Sequence, residues 1–273
     1  MTVPDDVTVP DDVTVPDDVT VSDDVTVPNK VKVGFFSFTE VTDPAEHRAY
    51  NEWHQLDHMP EQYPLPGLAF GQRWVSTPAC RSARAVDGEL LASFHYVTLY
   101  LMTDPVPETL EAFRALGGQL RAVGRFHRHR RALLSGPFGV TAVAATARVL
   151  VSAEAIPYRP NRGAYVVVEQ LADDAEPAEG TNGSLFDALA AGPGVAGVWS
   201  FASGAERHGD WRPGRRRIHV GFLDTEPLEV AAALGSAVVE ASRPTTSVLH
   251  AGPVETIIPW QWDWFDPVTE DRR

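Results

Sequence analysis

Between residues 50 and 67 the chain reads YNEWHQLDHMPEQYPLPG. His54 and His58, one helical turn apart, sit among the carboxylates Asp57 and Glu61 and the rings of Tyr50 and Trp53. Histidine titrates near neutrality, so it can both take and give a proton, and a nearby carboxylate fixes its tautomer and its pKa. The two imidazoles with Glu61 could instead form a two-histidine, one-carboxylate metal face. A third reading is a helix whose histidines face solvent or a partner and do no chemistry.

These residues need a helix to bring them together, and the sequence marks one over 44–59. Asp43 is a cap, Pro44 suits the first helical position and Glu46 completes a capping box. Pro60, Pro64, Pro66 and Gly67 end it. At about 100° per residue, Tyr50, His54, Asp57, His58 and Glu61 share an arc of about 100°, with Trp53 on its border. Pro60 kinks the backbone just before Glu61, which counts against a rigid three-ligand metal site, and the HExxH arrangement of zinc proteases is absent. The favoured reading is acid/base chemistry by His54 or His58, oriented by Asp57 or Glu61, with Tyr50 and Trp53 holding a small-molecule substrate. It calls for no cofactor and no metal.

The positioning elements repeat. PGLAFGQRW (66–74) resembles PGVAGVW (193–199), LEAFRALGG (110–118) resembles LEVAAALGS (228–236), and LLSGPFGVTAV (133–143) resembles VLHAGPVETII (248–258), in the same order. Three pairs in register argue for an internal duplication. Hydrophobic alternation and turn residues predict strands over 32–41, 68–75, 94–102 and 133–145 in the first half, with a second helix over 109–123. The second half gives strands over 164–171, 195–202, 218–223 and 248–258, with helices over 185–190 and 228–241. Each half reads βαββαβ, so the fold class is α+β: two tandem ferredoxin-like units forming a pseudo-dimeric α+β barrel able to enclose a cavity. The units span 31–145 and 163–259, joined by a Pro-containing linker at 146–162 and followed by a Trp-rich tail at 260–273. In the second half the helix segment NGSLFDALAAGPG (182–194) has no His, Trp or Tyr. A polar face required for folding would recur there, so its absence favours a functional site in the first half.

The pattern Y-x-x-W-H-x-x-x-H-x-P-E followed by P-G-L resembles the helix of EthD-like proteins of the dimeric α+β barrel superfamily, here in a fused tandem form. The resemblance covers 31–145, and the second half follows it in element order. It implies two ferredoxin-like units packed sheet to sheet, with the helix histidines bordering a pocket. It also implies an enzyme of cyclase, isomerase, dehydratase or other lyase type, or a cofactor-free monooxygenase, acting on an apolar, aromatic or polyketide-like substrate. A non-catalytic binder of an apolar ligand is the remaining alternative.

Phe35 and Phe38 on the first strand, Trp74 on the second, and Tyr96 and Tyr100 on the third are candidates to line that pocket, although aromatics at strand spacing are more often core. His127 and His129 lie in a basic run, RFHRHRR, that reads as a solvated loop or an anchor for a substrate anion. Trp260, Trp262 and Trp264 would share a face if extended, suited to a sheet edge, the cavity mouth or an oligomer contact.

The net charge of −14 is uneven, because eight Asp fall in the first 28 residues, in near-perfect copies of TVPDDV. Those copies, residues 1–30, read as a solvated extended tail; four short Pro- and Asp-containing copies offer little to stack as a β-helix, and no Gly-turned calcium loop accompanies them. No domain is net basic, so no nucleic-acid partner is expected. The lone Cys80 excludes an internal disulfide, and no apolar run is long enough to cross a bilayer. The acidic N-terminus lacks a secretory pattern, so a cytoplasmic protein is expected, with a homo-oligomer left open as its assembly.

Overall fold

A computed structural model describes residues 28–171, 184–204, 211, 213–242 and 247–266. The TVPDDV copies and the end of the Trp-rich tail lie outside the described residues.

Strands β1 (Val31–Val41), β2 (Leu68–Val75), β4 (Tyr96–Thr103) and β5 (Arg130–Ala145) form the first antiparallel sheet in the order β2-β4-β1-β5. In the second, β6 (Gly163–Gln170), β7 (Val195–Ser203), β8 (Arg216–Leu223) and β9 (Ser247–Thr256) are ordered β7-β8-β6-β9. Each order is that of a ferredoxin-like unit. The last strand of each unit pairs with the second strand of the other: β5 with β7 from Gly139 to Ala145, and β2 with β9 at Trp74–Thr256 and Val75–Glu255. A two-residue strand, β3 (Val86–Asp87), continues along β9. The sheet therefore closes into an eight-stranded barrel related by a pseudo-twofold axis, and closure removes the open edges.

The duplicated motifs occupy equivalent places. The first pair opens β2 and β7, the second lies in helices α3 (Val106–Ala122) and α5 (Pro227–Ala241), and the third lies in β5 and β9. Strand alternation decides what each face holds. Phe36, Phe38, Trp74, Leu99, Phe138, Trp199, Phe201 and Phe222 point inward and fill the barrel. The space expected to be a cavity between the two sheets is thus occupied by buried side chains, each aromatic contributing on the order of 2 kcal/mol that an open space would forgo.

Helices cover the outer faces. Over the second sheet, α4 (Ser184–Ala190) and α5 close tightly on Tyr165, Val167, Val195 and Leu223. Over the first sheet, α3 and the helix following β1 enclose only a small cluster, Phe35, Met59, Tyr100, Met102, Leu110 and Phe113. Space remains between them.

The segment between the units is folded against the barrel rather than extended. Ile156, in a single turn over Ala153–Tyr158, is 1% exposed in the barrel core, and Trp199 Nε1 donates to Ala153 O at 2.9 Å. Asn161 Oδ1 accepts from Gln72 Nε2, Trp74 Nε1 and Thr256 Oγ1 at 2.9, 3.2 and 2.7 Å, which ties the β2–β9 seam. The three C-terminal indoles do not share a face. Trp260, at φ 73°, turns outward, whereas Trp262 is buried beside Tyr50 and Tyr96.

Candidate functional site

The helix after β1 starts as its sequence predicts but does not continue as a regular α-helix. Asp43 Oδ1 accepts from Ala45 N at 3.1 Å, while Glu46 turns to His127 Nε2 at 3.4 Å instead of closing a capping box. Helix α1 (His47–Glu52) then widens into a π-turn over Trp53–His58, where Met59 N donates to His54 O at 2.9 Å. Pro60 is the physical cause: it has no N–H and its ring crowds the preceding turn, so the last bonds shift to i→i+5. A π-turn advances less per residue than an α-helix, so residues late in the segment fall behind the angle expected of them. Asp57 is exposed to solvent, whereas His54 and His58 face the sheet side by side, ring centroids 5.1 Å apart.

Both histidines line a cavity of about 630 Å³ between the outer face of the first sheet and the helices. Phe35 and Ser37 of β1 and Thr98 and Tyr100 of β4 form its floor, and Phe113 of α3 and Phe126 form part of its walls. The second unit also reaches it through Trp211 and Arg216. That volume lies in the range of small-molecule sites.

The charge of the cavity is one-sided. Arg114, Arg121, Arg130 and Arg216 line it, and among the described residues no Asp or Glu does. Behind the histidines, Arg73 is buried at 3% exposure and donates to Asn51 Oδ1 at 2.9 Å and Gln55 Oε1 at 3.3 Å, both neutral acceptors. Its guanidinium lies 5.5 and 5.7 Å from the ring centroids of Tyr50 and Tyr96. Burial, then Arg73, His58 and Arg130, hold the His54 pKa well below 6.5. Burial, Arg130 and Arg73 lower His58 to about 3. Both imidazoles are therefore neutral at pH 7, and among the described residues neither buried Nδ1 has a hydrogen-bond partner. The buried Tyr100 hydroxyl and Thr98 Oγ1 also lack partners, and burial pushes the Tyr100 pKa up, so its proton stays on.

The expected site residues separate into three groups. His54, His58 and Phe35 line the cavity. Tyr50, Trp53 and Tyr96 support it from behind: Tyr50 is fully buried against His54, Trp53 stacks on His58 at 4.7 Å, and the Tyr96 hydroxyl bonds His47 Nδ1 at 2.9 Å. Asp57, Glu61 and Trp74 are elsewhere. Asp57 faces solvent, Glu61 is paired with Arg125 at 2.7 Å, and Trp74, like Phe38, lies on the opposite, barrel-interior face of its strand. Among the described residues, therefore, no carboxylate orients either histidine.

Nor do His54, His58 and Glu61 share a ligand sphere. Among the described residues, the group of three with metal-ligand spacing is Asp43, Glu46 and His129, away from the cavity. Arginines facing the space would also repel a cation. His219 of β8 sits in a Ser200–His219–Glu169 chain, with His Nδ1 to Ser Oγ 3.1 Å and His Nε2 to Glu Oε1 3.2 Å. All three are buried, at 1–3% exposure, and Arg217 also pairs with Glu169, so the order of a hydrolase triad is here a satisfied buried carboxylate.

The molecule is thus an α+β barrel of two tandem ferredoxin-like units, with a helix-covered cavity on the first. No family model matches the chain, and no curated protein matches it. Among solved structures, a chlorite dismutase-like protein superposes with a TM-score of 0.50 at 7% identity, covering 83% of this chain and 95% of that one. An anthrone oxidase-like protein gives 0.42 at 11% identity, covering 85% and 92%. A monooxygenase-like protein from Lactobacillus acidophilus gives 0.39 at 5% identity, covering 84% and 100%. At these identities the likeness concerns the fold alone. Among the described residues, no helix is long and apolar enough to cross a membrane.

Proposed function

We propose that this chain is a cytoplasmic, EthD-like small-molecule enzyme that moves a proton with His54 or His58, without a cofactor, in a lyase, isomerase or cyclase type of reaction. One observation carries the reading. Two neutral imidazoles, each with a buried Nδ1 that has no partner among the described residues, border a cavity on the first unit, while the equivalent face of the second unit is filled by apolar side chains.

A neutral imidazole in an apolar wall is an acceptor. Its lone pair takes a proton from a substrate carbon or hydroxyl, leaving an imidazolium and a substrate anion. The adjacent guanidiniums and the Tyr100 hydroxyl stabilise that anion where it forms. Return of the proton to a different atom completes an isomerisation, and departure of a leaving group completes an elimination. Asp57 and Glu61 take no part in this version, because they do not reach the imidazoles. A non-catalytic ligand-binding role is the competing outcome.

The test is solvent exchange. Wild-type protein, H54A, H58A and the double variant are incubated in D₂O with a panel of small aromatic and polyketide-like acids and ketones, and mass spectrometry reads deuterium uptake or product. The proposal expects uptake or product with wild type and loss of about 100-fold or more in the double variant, the scale of general-base catalysis. Unchanged uptake in the double variant refutes histidine as the base, and a ligand that binds without exchange or product points to the non-catalytic reading.

A further inference from the structure

The arginines of the cavity need an explanation that packing does not supply. Arg114 and Arg121 project from α3, Arg130 from the start of β5 and Arg216 from the start of β8, so three separate elements converge on one space. Arg121 and Arg130 sit over the same ring, Phe126, at 4.6 and 5.4 Å. Arg130 is held by Ser37 Oγ at 3.0 Å, and Arg216 by the Pro213 carbonyl. Among the described residues none of the four pairs with a carboxylate, although neighbouring Arg125 and Arg131 pair with Glu61 and Glu40. Arg130 and Arg216 are half-buried and Arg114 and Arg121 exposed at the rim; like charges gathered around one space repel one another, and a bound anion would relieve that repulsion.

The rest of the lining specifies the body of such an anion. Phe35, Phe113 and Trp211 form an aromatic wall with centroid separations of 4.6 to 6.0 Å. Gly117 and Gly118 carry no side chain into the space, and an added Cβ at either would meet nothing within 4 Å. The cavity thus combines an aromatic wall and an open stretch of helix with four guanidiniums, two of them over Phe126.

We propose that the cavity's ligand is a small organic acid, its flat apolar body against Phe35, Phe113 and Trp211 and its carboxylate held by the guanidiniums of Arg114, Arg121, Arg130 and Arg216. This rests on reading the cavity as the substrate site and adds the class of substrate. Guanidinium forks match carboxylate geometry, which favours this pairing over a neutral polyketide. Two of the holding groups, Trp211 and Arg216, come from the second unit, so that unit contributes to recognition as well as to the barrel.

Calorimetric titration of the full chain with 2-naphthoate and with its neutral analogue 2-naphthylmethanol tests the inference. Wild type is expected to bind the acid about tenfold or more tightly than the alcohol, with the advantage shrinking in high salt. In R114Q/R121Q, on the exposed face of α3, the acid should weaken about tenfold while the alcohol changes less than about twofold, for loss of charge-assisted hydrogen bonds. R130Q provides an independent variant with the same expectation. Equal affinity for acid and alcohol, or acid binding unaffected by every arginine variant, overturns the organic-acid inference and leaves the cavity reading standing. Binding of neither compound overturns both.

Discussion

His250 gives the sharpest test of the electrostatics of this fold. It lies on β9, fully buried, its ring 4.9 Å from Phe94, with neither ring nitrogen partnered among the described residues. Burial, with a smaller contribution from Arg84, lowers its pKa to about 3 from 6.5. Above pH 6.5 the ring is neutral in both folded and unfolded chains and pH has no leverage through it. Below 6.5 the unfolded chain takes a proton that the folded one refuses, so stability falls until about pH 3. The loss is about 1.4 kcal/mol per pH unit, or about 2 kcal/mol between pH 7 and pH 5. His47, His54, His58 and His95 are lowered too, and their losses have the same sign. Together they approach the whole stability of an ordinary domain, ~5 to 15 kcal/mol, so the protein should be acid-labile. The perturbation is His250→Leu, which removes one such group and its two unpaired nitrogens. Urea unfolding followed by tryptophan fluorescence should find the variant about 1 to 3 kcal/mol more stable at pH 7, because an unpaired buried polar group is gone. The gap should widen by about 2 kcal/mol at pH 5. A gap that is the same at both pH values would refute the argument that this ring is neutral when folded.

Two further outcomes follow from the site. Nitrogen-15 NMR of the ligand-free protein should show the His58 ring still neutral at about pH 5.5, where the fold is retained; a midpoint near 6.5 would mean that the imidazole is solvated. Gly117→Leu should stabilise α3 by about 0.5 to 1 kcal/mol, since glycine in a helix interior is unfavourable, and should weaken 2-naphthoate binding by filling the cavity, as seen in paired thermal melts and titrations. Equal binding with raised stability would place the ligand elsewhere.

Much of the fold is legible in the sequence because its determinants are local. Alternation in Tyr96, Thr98 and Tyr100 against Val97, Leu99 and Leu101 separates the helix-facing side of β4 from its barrel side, and Asp43 and Pro44 mark the helix start. The duplicated motifs report the pseudo-twofold before any strand is paired. What local pattern cannot show is which face of a strand meets the cavity, and so Phe35 and Trp74 read alike although they point to opposite sides of the sheet. The π-turn is hidden for a related reason. Uniform 100° steps carry Asp57 and Glu61 onto the histidine face, and one widened turn before Pro60 sends Asp57 to solvent, while Glu61 turns to Arg125. The start of β5 reads as a basic loop, but Glu40 and Val41 of β1 pair with Arg131 and Arg130 and draw that run into the sheet. Tertiary pairing overrides composition there, and it aims Arg130 into the cavity.

The comparison of the two units explains why only one carries a site. Both have the same sheet order and the same pair of helix positions, so the barrel needs neither unit to be hollow. In the second, Leu185, Phe186, Leu189 and Leu234 fill the space between sheet and helices. In the first, the equivalent volume is left open and bordered by His54, His58 and guanidiniums that pair with no carboxylate among the described residues, groups that are costly to desolvate. A fold optimised for stability alone would fill both spaces alike. The first unit forgoes that packing, and the second compensates by closing the barrel with the β5–β7 pairing and the Asn161-tied seam, while lending Trp211 and Arg216 to its neighbour's cavity. The polar face of the opening helix is therefore best understood through the unit that lacks it. That unit shows what the same architecture holds when no ligand has to enter.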